Sequence, residues 1–132
     1  MHKDHITLTV PAKSEFAKTV RMTAAALVAR TSMSYDDVED VRMAAEEAFV
    51  YAVETLPAES EVRFDFAVSD DSLEIDVALG SEMPSSDDDD AEASAAYAVF
   101  ILESVCDAYE FASDENGAHL HLVKRAGGGD AD

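Results

Sequence analysis

With 132 residues, 48% hydrophobic and 29% charged, the chain has the size and balance of one globular domain and leaves no room for a second. Nine Lys plus Arg against 29 Asp plus Glu give a formal net charge of −20. A field of that sign repels phosphate backbones and anionic lipid heads, so direct nucleic-acid and membrane-surface binding are excluded as expected roles, and the apolar content excludes a disordered acidic tail.

His5-Ile6-Thr7-Leu8-Thr9-Val10 alternates polar and apolar residues and predicts a first strand, stopped by Pro11. Phe16, Val20, Thr23, Ala24, Leu27 and Val28 recur at helical spacing and predict a helix over 14–30. Asp36 and Asp37 suit the start of a second helix through its dipole, and the stripe Val38, Val41, Ala45, Ala48, Phe49 and Ala52 carries it to about Glu54. After the break at Leu56-Pro57-Ala58-Glu59, alternation of Val62, Phe64, Phe66 and Val68 predicts a strand, and Leu73, Ile75, Val77 and Leu79 its hairpin partner. From Gly80 to Glu92 there is no hydrophobic period, and the run Asp87-Asp88-Asp89-Asp90 predicts a mobile acidic loop. An Ala-rich stretch over 91–105 reads as a third helix. Tyr109-Glu110-Phe111 and Leu120-His121-Leu122 flank Asn116-Gly117, a two-residue hairpin signal.

The predicted order β-α-α-β-β-α-β-β implies an α+β fold, a two-layer α/β sandwich with a mixed, mostly antiparallel sheet and three helices on one face. One domain is expected over 1–126, with a flexible tail over 127–132. Cys106, the single cysteine, cannot close an internal disulfide and reads as a small buried hydrophobe in a reducing compartment. Met1-His2-Lys3-Asp4-His5 opens without an apolar leader, and no stretch approaches ~18 apolar residues, so a cytoplasmic protein is expected.

This order, with Asp40-Val41-Arg42-Met43-Ala44-Ala45-Glu46-Glu47-Ala48 on the second helix and Phe100-Ile101-Leu102-Glu103-Ser104-Val105-Cys106-Asp107 on the third, resembles the bacterial anti-sigma factor serine kinases of the histidine-kinase-like ATPase superfamily. The likeness runs from about His5 to Arg125. It implies a general-base Glu at Glu47 and, one turn later, an Asn that helps to hold magnesium on ATP; Tyr51 stands there instead. A phenol is a poor ligand for a hard cation. The plain alternative for Glu47 is a solvated helical glutamate. An adenine-recognising Asp is implied at Leu79, which cannot accept a hydrogen bond. A rival alignment reads Asp76-Val77-Ala78-Leu79-Gly80 as a decayed Asp-x-Gly-x-Gly, with Asp76 on the opposite strand parity. The implied Gly-x-Gly entry to the last helix is matched by Ala96 and Ala98, which extend a helix rather than let backbone approach phosphates. The carboxylates Glu82 and Asp87 to Asp90 either face a triphosphate, which they would repel, or point into solvent.

His119 and His121 share a strand face and are a weak candidate metal pair, the plain alternative being partly exposed strand histidines. No metal is expected. The resemblance implies, as partner, a sigma factor or an anti-sigma factor antagonist, and also a homodimer. The departures at Tyr51, Leu79, Ala96 and Ala98 favour a regulatory binding module with ATP binding lost or weakened, hence no cofactor. The alternatives are an active ATP-dependent serine kinase using Mg²⁺ with Glu47 as base, and a small-molecule sensor reusing the cleft.

Overall fold

A computed structural model describes residues 3–80, 89–115 and 117–127. Five strands, β1 (Asp4–Pro11), β2 (Glu61–Ser69), β3 (Ser72–Ala78), β4 (Ala108–Asp114) and β5 (Gly117–Arg125), form one sheet in the order β1-β2-β3-β5-β4. Every adjoining pair among the described residues is antiparallel, so the sheet expected to be mixed carries no parallel ladder there. Three helices, α1 (Ala17–Val28), α2 (Tyr35–Thr55) and α3 (Asp89–Val105), cover one face.

Strand register explains why only one face is covered. Ile6, Phe66, Ile75, Leu122 and Tyr109 are paired neighbours in a row across all five strands and point toward the helices. The next row, Thr7, Asp65, Asp76, His121 and Glu110, has the opposite parity and faces away. Burying one row and wetting its neighbour fixes the register, because a slip of one residue would exchange them.

Helix ends follow from local chemistry. A single 3₁₀ turn (Ser14–Phe16) precedes α1, which ends at Val28 rather than Arg30. Ser34 caps α2: its hydroxyl accepts from the Asp37 N–H at 3.1 Å while the Asp37 carboxylate accepts from the Ser34 N–H at 3.2 Å. α3 begins at Asp89, so Asp89 to Glu92 belong to a helix instead of the expected acidic loop. Acids in a first turn are favoured by the dipole, which is why a charge run can open a helix. Asp87 and Asp88, like Glu82, lie outside the described residues.

Asp37 also ties the chain's far end to α2. It accepts the Gly127 N–H at 2.8 Å and lies 3.8 Å from Lys124 Nζ, which donates to Asp40 at 2.9 Å. Gly127, expected to open the tail, is therefore held; 128–132 lie outside the described residues. Burial alone would raise the Asp37 pKa, but the Gly127 and Ser34 hydrogen bonds and the Lys124 charge outweigh it and hold the carboxyl below its ordinary 3.8. Asp37→Ala should cost ~0.5–2 kcal/mol, the range for losing a capping interaction at a helix N-terminus. A lowered folded pKa means that this stability is complete above the unfolded value and fades as pH falls through the folded one. Urea titrations at neutral pH and below pH 3.8 should show the difference between wild type and variant shrinking in acid.

Candidate functional site

Of the residues singled out in the sequence, Glu47 and Tyr51 lie on α2, Leu79 just past the end of β3, and Ala96 and Ala98 on α3. Glu47 is half-buried on α2. Burial first, then the like charges of Glu54 and Glu46, pushes its carboxyl pKa upward. That is the direction a general base needs. One turn on, Tyr51 is only 5% exposed and sets its ring edge-on against Phe111 of β4, centroids 5.5 Å apart at 66°. The packing turns Tyr51 into the core, and burial raises its phenol pKa.

Leu79 follows the last residue of β3 and is 2% exposed. Its N–H donates to Ala118 O at 2.8 Å, and the Ala118 N–H to Gly80 O at 2.8 Å, which prolongs the bonding to β5 past the strand's end. Gly80 has φ +93°, which favours glycine at this turn, and a Cβ there would lie a tight 3.2 Å from Leu56 Cδ2. Asp76 faces the other way. It lies on the open side of the sheet, 2.8 Å from His119 Nδ1 and 3.6 Å from His121 Nδ1, which removes the rival alignment as a route to the helix-covered side.

Ala96 and Ala98 both sit inside α3, two residues apart and so on nearly opposite sides: Ala98 is fully buried, Ala96 exposed. The structure thus gathers Tyr51, Leu79 and Ala98 into one apolar core, leaves Glu47 at its margin and puts Ala96 in solvent. As ligands for Mg-ATP these positions are ill suited. Leu79 and Ala98 have no polar side-chain atom, the Tyr51 ring is packed, and helical backbone at 96–98 has its N–H groups committed within the helix.

The two histidines are bound into a cross-strand polar ladder. His121 Nε2 lies 3.2 Å from Glu74 Oε1, and Lys3 also pairs with Glu74. The Lys3 hydrogen bond is the main reason the Glu74 pKa falls below its ordinary value. Among the described residues no group of three or more His, Cys, Asp or Glu side chains is arranged to hold a metal ion. Cys106 is partly rather than fully buried, and burial pushes its thiol up to about 12, which keeps it protonated and unreactive. No helix among the described residues is long and apolar enough to cross a membrane.

Sequence reasoning missed the Tyr51–Phe111 contact and the clasp of Asp37 by Lys124 and Gly127. The Ser34-Tyr35-Asp36-Asp37 capping signature was the available signal for half of the second.

A sequence model of the histidine kinase-like ATPase domain matches residues 10–124. The chain belongs to that family. Within it, the chain is related to serine-protein kinases RsbW: it is 36% identical over 77 residues to that of Bacillus cereus (strain AH187), covering 57% of this chain and 48% of the relative. Against the RsbW of Bacillus subtilis (strain 168) the identity is 36% over 78 residues, 57% of this chain and 49% of the other. The chain therefore spans about half the length of the curated relatives it matches. A crystal structure of the RsbU and RsbW domains of Rv1364c from Mycobacterium tuberculosis superposes with a TM-score of 0.70 at 17% identity, over 92% of this chain and 32% of that one. At that identity the likeness concerns the ATPase-type fold.

Proposed function

We propose that this histidine kinase-like ATPase domain is a regulatory binding module of the anti-sigma type, which docks a sigma factor or an anti-sigma factor antagonist and whose nucleotide binding is lost or weakened. The observation that carries the reading is Tyr51. Where the resemblance implies a magnesium-holding Asn, this chain packs a buried ring against Phe111. Leu79 and Ala98 support it by filling two further implied contact positions with buried apolar side chains. A net charge of −20 suits a basic partner, whose association such a field accelerates. A homodimer in the cytoplasm belongs to the same proposal.

The serine-kinase alternative, with Glu47 as base, rests on the raised pKa of that half-buried carboxyl. Thermal melting with and without millimolar Mg-ATP separates the two, since a ligand at ~100 times its Kd stabilises by ~2.7 kcal/mol. The expected result is an unchanged Tm. A rise of several degrees would replace the binding-module reading with the kinase.

A further inference from the structure

The outer side of α3 exposes apolar side chains on a helix whose sequence is acidic. Five large apolar side chains stand in solvent among the described residues, and two of them, Tyr97 and Phe100, at 60% and 64% exposure, lie about one turn apart on this helix. Ala93 and Ser104 extend the same stripe by four residues at either end, giving an exposed face about 16 Å long. The opposite stripe, Ala98, Leu102 and Val105, is the one buried on the core, so burial of α3 does not account for the two aromatic rings. Small residues at 93, 96 and 104 around the rings leave space for apolar side chains of another molecule to seat between them.

The charge on this helix is of one sign. Its sequence holds Asp89, Asp90, Glu92 and Glu103 and neither Lys nor Arg. Its last turn has no basic residue of its own and carries Glu103 two residues from the end; Lys124, the cation near that end, is paired with Asp40. Glu103 is exposed and accepts a hydrogen bond from the Tyr109 hydroxyl, a neutral donor.

We infer that the outer face of α3 is a docking surface for a basic amphipathic helix of another protein, whose apolar stripe covers Tyr97 and Phe100 and whose Lys and Arg side chains meet Glu103. Such a helix supplies both things the surface lacks, an apolar cover and positive charge. A second copy of this chain supplies only the first. It would bring another α3 without cations, on a chain of charge −20, against Glu103. The inference deepens the binding-module reading and rests on it in holding that the chain works by docking a protein.

Two short helical peptides test it, with the same leucine stripe and either lysine or glutamate at the polar positions, titrated into isotope-labelled protein at physiological ionic strength. The lysine peptide should bind and shift amide signals centred on α3; the glutamate peptide should not bind. Tyr97→Ser with Phe100→Ser should weaken the lysine peptide about tenfold or more, as loss of buried aromatic anchors does. Glu103→Lys leaves both rings in place and tests charge alone: it should weaken the lysine peptide several-fold. Failure of both peptides to bind, or binding that neither variant weakens, overturns the inference. So does a wild-type oligomer that the double variant converts to monomer by light scattering, because the occupant is then a second copy. The binding-module reading stands or falls separately, on Mg-ATP stabilisation.

Discussion

Leu79→Asp, which would install the adenine-recognising carboxylate implied at that position, should destabilise the domain by about 3–5 kcal/mol. Leu79 is 2% exposed, and its backbone N–H is fixed to Ala118 O, so the new side chain cannot swing out of the core without breaking the β3–β5 extension. The loss combines a vacated apolar volume with a carboxyl group that has no cation beside it. Burial would raise the pKa of that carboxyl in the folded variant, so acidification should restore part of the loss and base should deepen it. Against a total of ~5–15 kcal/mol for a domain, the change is severe. Urea unfolding across pH provides the measurement; an unchanged midpoint would mean that position 79 opens toward solvent. Recovery of the variant by Mg-ATP would mean that the new carboxylate meets a nucleotide, contrary to the reading of a lost site.

A second large effect is expected at Phe64, on the inward row of β2. Its ring is fully buried, with centroids 6.3 Å from Phe49 of α2 and 5.9 Å from Phe66 two residues along its own strand. Phe64→Ala removes one contact between helix layer and sheet and leaves a cavity in a close-packed interior, at ~3–5 kcal/mol. At a few degrees per kcal/mol for a chain of this size, the Tm should fall by roughly 10–20 °C. Phe100→Ala is the internal control, since an exposed ring should change stability by no more than ~0.5 kcal/mol. Equal losses at the two positions in parallel calorimetric scans would contradict the two-layer packing.

The strands were legible because each lies between a covered and an open face, and alternation records that directly. Phe64 and Phe66 point inward, Arg63 and Asp65 outward, and one pattern yields both the strand and its orientation. The third helix was legible only in part. Its apolar period starts well inside it, and Asp89 and Asp90 carry the helix signal in charge rather than hydropathy. Contacts distant in sequence left no trace. Lys124 meets Asp40 across 84 positions and Gly127 meets Asp37 across 90, and neither has a local pattern to betray it. At the candidate site the sequence singled out Tyr51, Leu79, Ala96 and Ala98, but did not show that Tyr51 turns inward onto Phe111 or that Ala96 and Ala98 part to opposite sides of α3. Side-chain direction there depends on packing between elements, which a linear reading does not contain.

The sheet order has a consequence for how the protein is made. β5 is the last of the described strands, yet it lies between β3 and β4. While the nascent polypeptide emerges, β1, β2 and β3 can join as they appear, but β3 keeps one raw edge and β4 has no neighbour until residues 117–125 arrive. Through that interval the aromatic and aliphatic residues meant for the interior are exposed beside unsatisfied backbone groups, the combination that recruits chaperones or seeds aggregation. A chain cut short before β5 would therefore be prone to edge-to-edge association, whereas the nine residues of β5 fill the gap in the middle of the sheet.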